Sequence, residues 1–234
     1  MTIGGIEGSS FVDYPRMLSC VFFTQGCNYD CFYCHNRSLI GPGTGIISYQ
    51  EVDRWLEKRK HMLDAVVFSG GEPTLHPDLA SYVYLAKEKG YKTKLDTNGS
   101  RSGVVSSLLE KSLLTYVALD VKAPKSRYRE LGGLSADYVE VYKSLALLTA
   151  FQKEHPWFSY EVRTTLAPLL YEEDLISLAS ELPPLMCWRL NYYRKPLFYK
   201  QEDAEKIHLP SLQQREVERI AHTLLQRQPN LRLD

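Results

Sequence analysis

MLSCVFFTQGCNYDCFYC, residues 17–34, runs from an apolar, β-branched and aromatic stretch straight into three closely spaced cysteines. Residues 17–24 read as a buried strand. Gln25-Gly26 then turns the chain into a loop carrying Cys27, Cys31 and Cys34, spaced C-x3-C-x2-C. Thiolates this close on a short loop are expected to share a metal or a metal cluster. Cys20, inside the apolar run, and Cys187, before Trp188, are expected to be inert buried residues.

Outward from that loop the chain alternates between strand and helix. Ser48 with Glu51 three residues on is a capping box that opens a helix to about residue 60. Residues 65–68 form a short apolar strand ending in Ser69-Gly70-Gly71-Glu72-Pro73. A helix over 78–89 is closed by Gly90, and a strand over 91–95 runs into Asp96-Thr97-Asn98-Gly99. Helix 104–111, strand 116–121 and the loop Lys122-Ala123-Pro124 follow. Helix 137–149, strand 158–166, helix 172–181, strand 185–192 and a last amphipathic helix over 212–226 complete the pattern. Six strand–helix units predict an α/β fold with parallel strands and outer helices. Six are fewer than the eight of a closed barrel, so the expected architecture is an open, partial (β/α)6 barrel. No linker divides it, and residues 1–234 are expected to form one domain.

Bulk composition narrows the function. The 234 residues carry 28 Lys and Arg against 28 Asp and Glu, a net charge of zero, so no bulk electrostatic grip on nucleic acid or an anionic membrane is expected. No apolar run approaches the roughly 18 residues of a membrane helix, and residues 1–10 lack the pattern of a secretory leader. The expectation is a cytoplasmic protein.

Every polar or glycine-rich signature follows a strand's carboxyl end, where parallel α/β folds place their sites. Three cysteines fall one short of the four thiolates usual for an iron–sulfur cube, which would leave one iron open to a small molecule. The alternative is structural zinc on Cys27, Cys31, Cys34 and His35, although His35 directly follows Cys34 and suits one tetrahedral ion poorly. Gly70 and Gly71 let backbone approach a ligand closely, and with Glu72 could receive an ammonium group; an ordinary strand-to-loop turn is the alternative. Asp96, Thr97 and Asp120 suit a hard cation, and Lys122 could neutralise a carboxylate. Together these strand ends suggest a site for a zwitterionic, amino-acid-like ligand.

The cysteine spacing after the first strand and Gly70-Gly71-Glu72-Pro73 after the second resemble the radical S-adenosylmethionine superfamily. The resemblance implies a [4Fe-4S] cluster on Cys27, Cys31 and Cys34 with S-adenosylmethionine on the fourth iron. Tyr33 would contact the adenine, Gly70, Gly71 and Glu72 would hold the methionyl amino end, and Pro73 would belong to the cofactor site. A finer similarity is to the glycyl-radical-enzyme activases, through Cys34-His35-Asn36, Asp96-Thr97-Asn98-Gly99 and Asp120-Val121-Lys122. It implies a monovalent cation on Asp96, Thr97, Asp120 and the Ala118 carbonyl. Thr97, Asn98, Lys122 and Arg163 would face the cofactor, with Lys122 reaching its carboxylate.

The opening Phe11-Val12-Asp13-Tyr14-Pro15-Arg16, with Gln25-Gly26-Cys27-Asn28 and Lys94-Leu95-Asp96-Thr97, looks closest to the activating protein of anaerobic ribonucleoside-triphosphate reductase. The implied activity is reductive cleavage of S-adenosylmethionine to a 5′-deoxyadenosyl radical that takes a hydrogen atom from a glycine of that partner, with a flavodoxin- or ferredoxin-type reductant. No side chain need act as general acid or base, because the cluster and cofactor carry the chemistry. The basic and aromatic stretch 188–195 is a candidate partner contact. Two rivals stand beside this reading: a radical enzyme acting on a small molecule, like the 7-carboxy-7-deazaguanine synthase, and a non-enzymatic zinc module.

Overall fold

A computed structural model describes residues 1–41, 43 and 47–233. Its strands are β1 Ile3–Ser10, β2 Ser19–Thr24, β3 Ala65–Gly70, β4 Lys92–Thr97, β5 Tyr116–Asp120, β6 Ser159–Leu166, β7 Trp188–Tyr192 and β8 Leu231–Leu233. They form one sheet in the order of the sequence. β1 runs antiparallel to β2, and every later neighbour pair is parallel. The helices are α1 Tyr49–Lys58, α2 Leu79–Glu88, α3 Ser102–Glu110, α4 Tyr128–Gly132, α5 Tyr138–Glu154, α6 Glu172–Glu181, α7 Ala204–Ile207 and α8 Gln214–Arg227. The α/β fold with parallel strands and outer helices is the one the alternation predicts, and the sheet is open: β1 and β8 are its edges.

Local chemistry explains the boundaries. Ser48 Oγ accepts from Glu51 N at 3.2 Å while Glu51 Oε2 accepts from Ser48 N at 2.7 Å, so both ends of the expected capping box are made. Gly90 takes φ 93° behind α2, a conformation open to glycine at little cost.

The two faces of the sheet differ. Cys20, Phe22, Phe68, Leu95, Val117, Leu119, Val162, Trp188 and Leu190 belong to the large cluster that also holds the buried residues of the helices. At about 1.5–3 kcal/mol for each fully buried large apolar side chain, this seam binds helices to sheet. The alternate residues form the other face. On β2 and β3 they are apolar, with Val21, Ala65 and Val67 packing on Tyr14. From β4 onward the same face carries Lys94, Asp96, Asp120, Glu161, Arg163, Arg189 and Asn191. A parallel strand covered on both faces is normally apolar throughout, so the charged alternation marks a face that does not end in core.

Several sequence expectations are corrected. β1 was not expected: three of its eight residues are glycine, which weakens a strand signal. Gly4 is there because a Cβ would come within 2.6 Å of Gln25 Oε1 and Leu39 Cδ2. Three-residue β8 was likewise missed. Stretch 188–195 is largely strand: Trp188 is fully buried and donates to Thr164 Oγ1 at 3.1 Å, leaving only Arg194 and Lys195 of it exposed. Cys20 is buried as expected, but Cys187 is half-buried.

Candidate active site

The carboxyl ends of β2 to β7 converge on one cavity of about 380 Å³, lined among others by Cys27, Cys31, Tyr33, Cys34, Gly70, Gly71, Asp96, Thr97, Asn98, Asp120, Lys122 and Arg163. Most residues singled out from the sequence meet there. Glu72, Pro73 and Ala118 do not line it. Asp13, Thr165 and Asn191 do, and were not anticipated as site residues. Thr165 and Asn191 continue the inward alternation of Arg163 and Arg189, so counting by two from Arg163 would have found them.

The cysteine loop is held by backbone contacts. Gly71 lies so close to it that a Cβ would stand 2.0 Å from Gly26 O, and one on Gly70 would stand 2.3 Å from Thr24 N. The two glycines therefore serve the approach of one turn to the other, as well as opening backbone to the cavity. Glu72 N donates to Gly26 O at 2.8 Å, and Asn36 Nδ2 to Gly70 O at 3.2 Å. Arg37 donates to Cys31 O at 2.8 Å and to Asp30 Oδ1 at 2.6 Å. Gly133, at φ 91°, packs on the Asp30 backbone, and Asp30 N donates to Gly132 O at 3.3 Å.

Glu72 is a brace. Its fully buried carboxylate accepts from Thr74 N, Thr74 Oγ1 and Thr97 Oγ1 at 3.1, 2.6 and 2.7 Å, and from Asn98 N at 2.7 Å. Burial raises its carboxyl above the ordinary value, against the pull of those donors. The expected direct contact of Glu72 with an amino group gives way to this: it locks the turn after β3 to the turn after β4.

The far wall is ionic. Asp96 Oδ1 lies 3.1 Å from Lys94 Nζ, and Asp96 Oδ2 accepts from Ser69 Oγ at 3.1 Å. Arg163 reaches both acids, Asp96 Oδ2 at 3.4 Å and Asp120 Oδ1 at 3.1 Å, while Lys122 Nζ meets Asp120 Oδ2 at 3.0 Å. The guanidinium of Arg163 thus joins the two carboxylates expected to hold a monovalent cation. Burial works to raise Asp120, yet Lys122 and Arg163 hold it below its ordinary value. Burial also opposes the charge on Lys122, and Asp120, with Tyr33 and Cys31, keeps its pKa well above the usual range.

Burial pushes the Cys27 thiol up to about 12 and Cys31 to about 11, with Lys122 pulling Cys31 back. Any metal centre formed on them must displace protons. Tyr33 lines the same space, and its Oη is buried without a hydrogen-bond partner. Among the described residues no three His, Cys, Asp or Glu side chains gather around a position for a single metal ion. No helix of the described residues is long and apolar enough to cross a membrane.

Comparison with known proteins agrees with this geometry. The family model described as the Radical SAM superfamily matches residues 21–179. A protein of Methanocaldococcus jannaschii that carries the name of a glycyl-radical enzyme activating enzyme is 32% identical over 222 residues, covering 94% of this chain and 91% of its own. The pyruvate formate-lyase-activating enzyme of Clostridium pasteurianum is 36% identical over 126 residues, covering 51% of this chain and 52% of its own. Among solved structures, Streptococcus suis SuiB bound to S-adenosylmethionine aligns with a TM-score of 0.69 at 18% identity. That alignment takes in 92% of this chain and 49% of SuiB, so the chain spans about half of that protein.

Proposed function

The chain belongs to the radical SAM superfamily, and from that membership we propose that it is an activating enzyme which installs a glycyl radical on a partner enzyme. Support comes from one observation above the rest: three thiols, a glycine turn and the paired charges of Asp96, Asp120, Lys122 and Arg163 line a single cavity at the carboxyl end of the sheet. When bound there, a [4Fe-4S] cluster and S-adenosylmethionine would supply one-electron reductive chemistry and the means to take a hydrogen atom from carbon.

The chain's own residues bind and orient. Cys27, Cys31 and Cys34 would hold the cluster, and Tyr33 would offer its ring to the adenine. Backbone at Gly70 and Gly71 would receive the ammonium end, with Thr97 and Asn98, positioned by Glu72, beside it. On the ionic wall Lys122 pairs with Asp120, Arg163 with both Asp120 and Asp96, and Lys94 meets Asp96 from outside the lining, while Asp13 adds a third acid to it. The Lys122 ammonium, just past the end of its strand, is the donor that suits the carboxylate of the methionyl end. Arg163 supplies the positive charge between the two acids that a monovalent cation would otherwise bring.

The partner in this proposal is anaerobic ribonucleoside-triphosphate reductase, supported by the segments around Phe11, Gln25 and Lys94 described above. Asp13 of the first segment reaches the cavity, and its carbonyl accepts from Lys94 Nζ. The test is anaerobic reconstitution with iron and sulfide, then incubation with S-adenosylmethionine, dithionite and that reductase. A glycyl-radical signal on the reductase by electron paramagnetic resonance is expected. Production of 5′-deoxyadenosine stimulated by a pterin substrate, with no signal on any protein, would favour the small-molecule reading instead.

A further inference from the structure

Two apolar tips that do not line the cavity adjoin the cysteine loop at Asp30. Leu134 is 90% exposed and follows Gly133, whose backbone rests on that of Asp30. On the other side Leu197 and Phe198, 88% and 67% exposed, lie just before Lys200, whose ammonium contacts the Asp30 carboxylate. Arg37 fastens this arrangement by reaching both Asp30 and the Cys31 carbonyl. Asp30 immediately precedes Cys31, so the backbone and charged groups beside these tips contact the segment carrying the middle thiol. Large apolar side chains grouped in the open mark an interaction site more often than chance exposure.

Cations outnumber acids around the tips although the chain is neutral overall, and the acids Asp30, Glu130 and Glu202 are each paired, with Arg37, Arg127 and Lys200. Residues 124–134 and 193–200 hold Lys125, Arg127, Arg129, Arg194, Lys195 and Lys200 against the single acid Glu130. Arg129, Arg194 and Lys195 are exposed, and none pairs with a carboxylate among the described residues. From this juxtaposition we infer that the surface around Leu134, Phe198, Arg129 and Arg194 docks an acidic one-electron carrier protein. The inference rests on the cluster reading given above and names the partner that reading requires on the reductant side.

A protein offering its glycine must reach the cavity itself, where the hydrogen atom is removed. A carrier needs only the outside of the loop that bears the cluster. One electron leaves the carrier, which is oxidised by one equivalent, and the cluster is reduced by one; no bond is made or broken. Electron-transfer pairs dock through small transient interfaces, and opposite charge raises their rate of encounter. Two apolar tips within a basic rim match that description.

The probe is flavodoxin, an acidic one-electron carrier. Labelled flavodoxin is titrated into the full chain, unloaded and cluster-loaded, and reduction of the loaded cluster is followed by its visible absorbance. Leu134→Ser with Phe198→Ser, and separately Arg129→Glu with Arg194→Glu, should each weaken binding at least tenfold and slow reduction by flavodoxin to match. Dithionite should reduce wild type and variants at one rate. Tyr84→Ser, which removes a 52%-exposed ring from α2, should change nothing. Wild-type affinity and rate in both double variants overturn the inference, as does a wild-type chain that fails to bind flavodoxin. So does a loss confined to glycyl-radical formation on the partner, which would assign the patch to the protein substrate. A chain that takes up no cluster would sink the underlying reading instead, while the unloaded titration still reports on the patch.

Discussion

The near wall of the cavity, built by β2, β3 and the cysteine loop, is set by main chain; the far wall, built by β4 to β7, is set by side chains. On the near side the defining contacts are Gly71 against Gly26, Gly70 against Thr24 and Gly133 against Asp30, each closed to any Cβ without rearrangement. On the far side Lys94, Asp96, Asp120, Lys122 and Arg163 project from regular strands or strand ends and meet through charged groups. The difference divides the labour. A cluster needs thiols held at fixed separation, which main-chain packing supplies; a zwitterionic ligand needs charge of the right sign, which side chains supply and can alter without disturbing the fold.

The most severe way to break this contrast is Gly71→Ala. A Cβ 2.0 Å from a carbonyl oxygen cannot be accommodated by rotating a side chain, so the two turns must part, at a cost of about 3 kcal/mol. Both thermal stability and iron uptake should fall. Cys31→Ala provides the reference: it should lose iron on anaerobic reconstitution while its melting temperature stays within a few degrees of wild type. If Gly71→Ala kept wild-type iron content and stability, main-chain contact would not be what fixes the near wall.

The contrast also explains what could be read in advance. Strands and cysteine loop announced themselves through short-range pattern: apolar runs, a capping box at Ser48, and thiols within eight residues. The ionic wall was legible because Asp96, Asp120 and Lys122 end strands and Arg163 sits within one. What stayed hidden depends on partners far along the chain. Gly132 and Gly133 meet the cysteine loop across about a hundred residues, and neither carries a local signal of that contact. The bracing role of Glu72 is fixed by Thr97 and Asn98, whereas its own motif suggested a ligand. That Arg163 would bridge Asp96 and Asp120 required the register that sets Asp120 beside Arg163 and Asp96 beside Ala118.

A milder perturbation touches the far wall alone. Lys122→Ala removes one of three cations facing Asp96 and Asp120 and leaves Arg163 to hold both acids. Affinity for S-adenosylmethionine should fall ten- to a hundredfold, about 1.4–2.8 kcal/mol. Cluster content should be unchanged, since no main-chain contact of the cysteine loop involves this side chain. Calorimetry on the reconstituted variant giving wild-type affinity would remove Lys122 from the recognition of the ligand, and lost iron would show that the two walls are not separable.

The smallest effect lies in two titrations that move in opposite directions. Glu72, behind the near wall, is raised by burial, whereas Asp120, on the far wall, is held down by Lys122 and Arg163. Carboxyl nuclear magnetic resonance of the unloaded chain should find Glu72 titrating above its ordinary 4.5 and Asp120 below its ordinary 3.8. The stability consequences follow by linkage. Asp120 binds its proton more weakly folded than unfolded, so its contribution is complete above 3.8 and disappears as pH falls through the depressed folded value. Glu72 binds its proton more tightly folded than unfolded, so its protonation stabilises the fold as pH drops through the raised value. In Lys122→Ala the Asp120 resonance should move upward while that of Glu72 stays in place. Equal shifts at both positions would mean that charge, and not main-chain packing, couples the two walls.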